Sequence, residues 1–333
     1  MDRADYSRAS HAVWEAMAPG WDERHAYFEE IARPVTERML ELLDPSPGDA
    51  ILDLAAGTGV VGFSAAALVG PTGRVIVSDF AGAMVEVASR RAEELGLDNV
   101  DCRVLDAERL DLPDGSVDGV ICRWGYMLMA DVGAALRETR RVLRAEGRVA
   151  CAVFAGPEQN PWAAIPSRVL HQRGHIPRPE AGAPGILALA DRDRLRLLFT
   201  EAGFADSAIE EVPFGFRFAG ADDYWEYLNG AAGGIAIVLN RLDEDERERI
   251  RGQIAEGRLR WLRADRAAGH VARHGGVVAR RPSASTPRHR FARRASVCRP
   301  APGHLPRTSG RSRTCSSRHS CFGRLCEHQR QSG

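Results

Sequence analysis

The chain has 333 residues, 44% of them hydrophobic, and its 45 basic and 45 acidic side chains give a formal net charge of zero. That length allows one large domain or two small ones around a substantial core, and the absence of any run of about 18 apolar residues excludes a helical membrane span. The neutral balance hides an asymmetry, because residues 266–333 hold 15 Arg against one acid, Glu327, for about +14, leaving about −14 on residues 1–265. An acidic folded part disfavours nucleic acid as substrate, since phosphate backbones are bound by clustered positive charge; a small molecule fits better. Every permanent side-chain cation is Arg and none is Lys, which we read as genome composition. The opening Met1-Asp2-Arg3-Ala4-Asp5 lacks a secretory profile, so a cytoplasmic location is expected.

Between residues 7 and 43, Trp14, Met17, Phe28, Ile31, Val35, Met39 and Leu42 recur at three- and four-residue intervals, a helical pattern that Pro34 is expected to break or kink. Asp44-Pro45-Ser46-Pro47-Gly48 is a loop. Beyond it, strands at 50–54, 74–78, 100–104, 119–122 and 148–154 alternate with helices at 60–68, 83–95 and 132–143. Apolar strands separated by helices imply a parallel sheet covered on both faces. After Phe154 the order loosens. Pro-rich stretches at 156–166 and 176–184 frame a helix at 162–172, and a helix at 192–202, a strand at 207–212 and helices at 221–229 and 243–261 follow, pieces that suit a lid. Residues 266–333 lack periodicity, a composition that fits a disordered tail, a nucleic-acid-binding arm or, the reading we favour, a GC-rich frame translated out of register. Residues 275–280 within it read as a remnant or imitation of a last strand. The expected division is a helical cover at 1–44, a cofactor core at 45–155, a lid and C-terminal part at 156–265, and the tail at 266–333.

Cys102, Cys122 and Cys151 lie in apolar, strand-like surroundings and read as small core residues. Cys298, Cys315, Cys321 and Cys326 match no common zinc spacing despite nearby His319 and His328, so no metal is assigned.

The segment Ile51-Leu52-Asp53-Leu54-Ala55-Ala56-Gly57-Thr58-Gly59-Val60-Val61-Gly62 is a strand running into a glycine turn that opens a helix. Glycine there permits positive φ and lets a cofactor approach main-chain amides. Alone, the pattern matches a dinucleotide site equally well, and Asp79, at the end of the second strand, suits the ribose hydroxyls of either cofactor. Asp53 and Asp106-Ala107 separate the two readings: a carboxylate at Asp53 is unwelcome beside a pyrophosphate but tolerable beside an amino group and a sulfonium.

Leu52-Asp53-Leu54-Ala55-Ala56-Gly57-Thr58-Gly59, Asp79 and Asp106-Ala107-Glu108 resemble the successive motifs of class I S-adenosylmethionine-dependent methyltransferases. Leu112-Pro113-Asp114-Gly115-Ser116-Val117-Asp118 leading to Cys122-Arg123-Trp124-Gly125 resembles their fourth-strand motif, and Trp14-Glu15 with Ala18, Gly20-Trp21-Asp22 resembles the cover of the ubiquinone/menaquinone C-methyltransferase-like group. Ala145-Glu146-Gly147 departs from the usual Pro-Gly-Gly. The resemblance spans about residues 6–263. It implies a Rossmann-like, doubly wound α/β fold, a mostly parallel seven-stranded sheet with helices on both faces, an N-terminal helical cover and an inserted lid. It further implies S-adenosyl-L-methionine as cofactor, with Ala55, Gly57 and Gly59 along the methionine part, Asp79 at the ribose, and Phe80 and Met84 at the adenine. Asp106 would meet the adenine amino group with Ala107 beside it, and Arg123 would face the cofactor.

A sulfonium methyl needs little activation, so no catalytic residue is assigned; His25, Tyr126 and His171 are weak candidates for a base. Trp14, Trp21, Tyr126, Trp162 and Trp225 are candidates for an aromatic acceptor pocket. The expected function is methyl transfer to a small molecule, quinone-like, phenolic or a natural product. Two alternatives stand beside it: an NAD(P)-dependent oxidoreductase, and an inactive cofactor-binding chain whose damaged C-terminus has lost the last strand of the sheet, expected near 268–282.

Overall fold

The computed structural model describes residues 2–177, 182–268 and 275–280, with the side chains of Asp206 and of 259–280 excepted. Two helices open the chain, α1 (Arg3–Glu23), capped by the Asp2 carboxylate, and α2 (His25–Leu43). Pro34 lies inside α2 on its exposed side. The hydrogen bond it cannot donate is therefore missing where water satisfies the freed carbonyl, and the expected break falls at Arg24 instead.

Five parallel strands follow: β1 (Ala50–Leu54), β2 (Arg74–Asp79), β3 (Val100–Val104), β4 (Val117–Arg123) and β5 (Leu143–Ala152). They are joined through α3 (Val60–Val69), α4 (Gly82–Glu94) and α5 (Val132–Val142). All five residues of β1 are buried, as expected of a central strand covered on both faces. β5 begins earlier than the sequence suggests. Val117 pairs with Leu143 but Gly119 with Arg148, so residues 144–147 bulge out of register where a loop was expected.

β6 (Asp206–Glu211) and β7 (Gly275–Arg280) complete the order β3-β2-β1-β4-β5-β7-β6, with β7 antiparallel to both β5 and β6. The segment read as a remnant or imitation of a last strand thus supplies main-chain partners on two sides, against the alternative in which the inserted strand is lost. The boundary drawn after residue 265 falls inside α10 (Glu244–Ala268). Residues 269–274 and 281–333, where the rest of the tail reading falls, lie outside the described residues.

α6 (Pro161–Gln172), α7 (Arg192–Glu201), α8 (Ala221–Gly230), α9 (Gly234–Leu239) and α10 fill the C-terminal half. Ile165, Leu170, Tyr227, Leu228, Leu239 and Ile250 make a second core with Phe28 and Ile31 of α2, while Val35, Met39 and Leu43 of the same helix enter the sheet core. One helix therefore joins the C-terminal helices to the sheet. Among the described residues no helix is long and apolar enough to cross a membrane.

Candidate cofactor and acceptor site

From β1 the sheet runs through β2 to β3 on one side and through β4 to β5 on the other. Helices therefore leave the neighbouring strands β1 and β4 in opposite directions, opening a crevice at their carboxyl ends, where ligands of such sheets bind. The residues that leave these strands are Ala55 (φ 51°) and Trp124 (φ 65°). Left-handed backbone at non-glycine residues costs on the order of 1–3 kcal/mol and collects at functional sites. Both turns are pinned: the Ala56 amide donates to the Ser78 carbonyl at 2.9 Å and the Trp124 amide to the Ala152 carbonyl at 2.8 Å. A Cβ on Gly125 would sit 2.6 Å from Ala55 Cβ, so the two turns touch.

Gly57 (φ 55°) and Gly59 (φ 87°) carry the chain from β1 into α3. Asp79, 7% exposed at the end of β2, accepts the amide of Gly57 on Oδ2 (2.9 Å) and that of Ala81 on Oδ1 (3.1 Å), and burial pushes its carboxyl up. Asp53 is wholly enclosed; Oδ2 accepts the Gly62 amide at 2.7 Å, and Oδ1 is buried without a partner among the described residues. Burial drives the Asp53 carboxyl up to about 7 against the opposing pull of Arg123. Arg123, half-buried at the end of β4, donates through Nη1 to Thr36 Oγ1 of α2 at 2.6 Å, and its guanidinium lies 5.0 Å from the Trp124 ring centroid. Burial lowers it to about 10, with Asp53 and then Glu29 pulling the other way.

The other residues expected at the cofactor are spread around this crevice. Asp106 is exposed just past β3, where its Oδ1 accepts the Glu108 amide (2.9 Å); Ala107 beside it is buried, and the Leu105 amide donates to the Asp79 carbonyl (3.0 Å). Phe80 meets His11 of α1 edge-on at 5.4 Å. Met84 is wholly buried with Met17 and Ala18, so α1 covers it. The Glu15 carboxylate holds α1 in place by accepting the Gly82 (2.6 Å) and Ala83 (3.2 Å) amides at the start of α4.

The three weak base candidates do not converge. Tyr126 is buried in a short 3-10 turn with its hydroxyl against Thr139 Oγ1 (2.6 Å), and burial raises its phenol well above the usual range. His25 Nδ1 donates to the Asp22 carbonyl (2.7 Å), and His171 Nδ1, near the end of α6, to that of Ile176 (3.3 Å).

A belt of rings runs from the crevice into the C-terminal helices. Trp124 stacks on Phe154 (5.0 Å, 15°) and Phe214 (5.3 Å, 26°), Phe154 meets Trp162 edge-on (5.2 Å), and Trp162 packs on Phe216 (4.3 Å) and Tyr227 (6.1 Å). Phe28 joins Tyr227 (6.2 Å) to Trp21 (stacked at 4.4 Å), and Trp21 meets Trp14 (5.7 Å). Trp21 reaches the glycine turn, 4.0 Å from where a Cβ on Gly57 would stand, and its Nε1 is buried without a partner among the described residues. Of the aromatics expected from sequence, Trp14, Trp21 and Trp162 belong to this belt. Tyr126 hydrogen-bonds elsewhere, and Trp225 packs on the second core as a partly buried ring. Trp124, Phe154, Phe214, Phe216 and Tyr227 were not anticipated. One signal was available, the period-two run Phe214-Gly215-Phe216-Arg217-Phe218, typical of an extended segment with one face inward.

The model of the ubiE/COQ5 methyltransferase family matches residues 30–218. The chain belongs to that family. It is 39% identical over 265 residues to the nocamycin O-methyltransferase of Saccharothrix syringae, spanning 73% of this chain and 88% of that protein. It is 30% identical over 178 residues to the ubiquinone/menaquinone biosynthesis C-methyltransferase of Pseudoalteromonas translucida, spanning 50% and 71%. A methyltransferase solved in complex with the Haloferax volcanii Trm112 activator superposes with a TM-score of 0.51 at 17% identity, over 81% of this chain and 98% of that one, a likeness of fold.

Between the two cofactors left open by the glycine turn, membership of this family selects S-adenosylmethionine, and methyl transfer is the reaction. The residues present fit this cofactor. A methyltransferase cradle needs approachable backbone beside an acceptor for a cationic group, and here the positive-φ turn at Gly57 and Gly59 lies next to the partnerless Oδ1 of Asp53.

Proposed function

We propose that this methyltransferase moves the methyl group of S-adenosylmethionine to an oxygen of a flat, ring-bearing small molecule, by in-line displacement and without a dedicated base. The observation that carries this reading is the ring belt that starts at Trp124, one residue beyond β4, and continues through Phe154 to Trp162 of α6. Aromatic surfaces accept flat conjugated ligands by stacking, at roughly 0.5–1.5 kcal/mol per ring pair beyond burial. Oxygen as the acceptor atom is supported by the name of the Saccharothrix relative; phenolic, quinone-like and other natural-product acceptors all meet this description.

When bound, the cofactor supplies a sulfonium methyl that needs little activation. The chain's contribution is then to hold the acceptor in line and exclude water. In this reading Ala55, Gly57 and Gly59 line the methionine part, Asp79 takes the ribose hydroxyls, Phe80 flanks the adenine, and Asp106 meets its amino group with Ala107 alongside. Met84 reaches the adenine only after α1 moves. Residues 1–44 act as a cover and 156–265 as the acceptor lid, in a cytoplasmic enzyme that handles no nucleic acid.

The test is a transfer assay with methyl-labelled cofactor against a panel of phenols, quinols and enols. We expect an O-methyl product, and a Trp162→Leu variant with a KM for acceptor at least about tenfold higher, or ~1.4 kcal/mol, at unchanged affinity for S-adenosylhomocysteine. A protein that binds S-adenosylhomocysteine but methylates only carbon, peptide or nucleic acid contradicts the proposal.

A further inference from the structure

A second concave site opens at the amino ends of β4 and β5, on the edge of the sheet opposite the cofactor crevice. It is an open cavity of about 660 Å³ lined chiefly by Arg137, Arg140, Arg141 and Arg144, with Asp114 and Leu143. β4 runs from Val117 beside this cavity to Arg123 at the crevice, so the two sites lie roughly 20 Å apart at about 3.3 Å per residue. Arg137, Arg140 and Arg141 recur at three- and four-residue spacing on one face of α5. Residues 144–147, which bulge out of register, bring Arg144 beside them. This is the stretch where Ala145-Glu146-Gly147 departs from the usual Pro-Gly-Gly. Arg141 fixes the opposite wall: it donates to the Leu110 (2.8 Å) and Leu112 (2.7 Å) carbonyls and to Asp114 (2.7 Å), and the Gly115 amide donates to its own carbonyl (3.0 Å).

Folding accounts for part of this charge. Arg140 and Arg141 lie in the last turn of α5, where cations complement the helix dipole, and Arg144 pairs with Asp118 through one of its five N–H donors. Arg137 has no such role. It lies before the last turn, four residues from the like charge of Arg141, a spacing that disfavours the helix. It makes no hydrogen bond or ion pair among the described residues. Asp114 is the one acid lining the cavity among those residues, and Arg141 already holds it.

Guanidiniums stay charged and match phosphate oxygens with paired donors. The cavity has the volume of a small-molecule site. A long nucleic-acid backbone would also meet the acidic remainder of the chain, about −14 over residues 1–265, whereas a compact polyanion meets only the local cluster. We propose that this cavity binds a di- or triphosphate group, held chiefly by Arg137 and Arg144, at a site separate from methyl transfer. Leu143 and Ala145 offer an apolar surface to an organic part attached to that group.

The test is calorimetric titration of the full chain with inorganic triphosphate, ATP and sulfate at low ionic strength, where charge contacts are least screened. Wild type is expected to bind one triphosphate, at least about tenfold more tightly than sulfate. The Arg137→Gln/Arg144→Gln double variant is expected to bind triphosphate at least about tenfold more weakly, or ~1.4 kcal/mol, with S-adenosylhomocysteine affinity within about twofold of wild type. ATP binding more tightly than triphosphate assigns the cavity to a nucleotide; ATP binding more weakly assigns it to a free polyphosphate. If a thermal melt shows the double variant to be unfolded, Arg137→Gln alone, at an exposed side chain, is expected to weaken triphosphate at least about threefold. A wild type that binds no triphosphate overturns the site. So does a folded double variant that binds it within about twofold of wild type, since the Arg-rich residues 266–333 or general charge would then be the cause.

Discussion

Asp79→Asn is the perturbation that most directly tests the cofactor geometry. The native carboxylate accepts one amide on each oxygen, from Gly57 at 2.9 Å and from Ala81 at 3.1 Å. An ionised carboxylate has roughly four lone-pair sites, so about two remain for the ribose hydroxyls. Hydrogen bonds to a charged group contribute about 1.5–3 kcal/mol each. Asparagine keeps one accepting oxygen and replaces the other by an NH2 that can only donate. The variant should therefore lose about 3 kcal/mol of S-adenosylhomocysteine affinity, or on the order of a hundredfold or more.

Stability of the free protein should change far less, because two effects oppose each other. One backbone amide is left facing a donor, which costs about 1–3 kcal/mol, while a carboxyl whose ionisation burial already disfavours is replaced by a neutral group. The assay is titration calorimetry on wild type and variant with S-adenosylhomocysteine and its 2′,3′-dideoxy analogue, with a thermal melt of each protein. The cycle isolates the coupling between carboxylate and ribose. A folded variant that binds within about threefold of wild type, or that still discriminates the dideoxy analogue as wild type does, refutes the reasoning.

Two further outcomes follow from the same geometry. Burial raises the Asp53 carboxyl to about 7 in the folded chain, with Arg123 opposing and Asp79 adding to the rise, against roughly 3.9 when unfolded. The folded state therefore binds more protons between these values, and stability falls as pH rises from about 4 to about 7, then levels. Denaturant melts at pH 5 and pH 7 should show that Asp53→Asn gains stability relative to wild type as pH rises; a difference between the two proteins that does not change over that interval excludes an enclosed, uncompensated Asp53. Tyr126→Phe removes a buried hydroxyl pair with Thr139 and should lower stability by about 1 kcal/mol. It should leave kcat within about twofold, and a loss of a hundredfold in kcat at intact cofactor binding would return Tyr126 to the catalytic machinery.

What could be read from the sequence was what is encoded over short stretches. The turn through Gly57 and Gly59, Asp53 and Asp79 at strand ends, and the alternation of apolar strands with helices each rest on neighbours within a few residues, and the sheet from β1 to β5 follows them. Pro34 misled because the rule about helix interiors ignores which side of the helix faces water. The start of β5 was missed because the extended conformation of residues 144–147 comes from pairing with β4, without any local apolar signal. The belt of rings was hardest to see. Its rings come from α1, α2, α6, α8 and the segments after β4, β5 and β6, and the partner that holds Arg123 lies 87 residues away at Thr36. Composition names such aromatics; only packing sorts Trp21 and Trp162 from Tyr126.

The two N-terminal helices connect both ends of the transfer. α1 caps the start of α4 through Glu15 and brings Trp21 to the glycine turn. α2 anchors Arg123 through Thr36 and carries Phe28 between Trp21 and Tyr227 of α8. In-line displacement depends on aligning acceptor and methyl donor, and a displacement of about 1 Å can cost a hundredfold in rate. Helices that touch the cofactor crevice on one side and the far end of the aromatic belt on the other can set that alignment. Substitutions that loosen the cover, such as Glu15→Gln at the start of α4, should therefore lower kcat and cofactor affinity together, while substitutions confined to the lid should act on the acceptor alone.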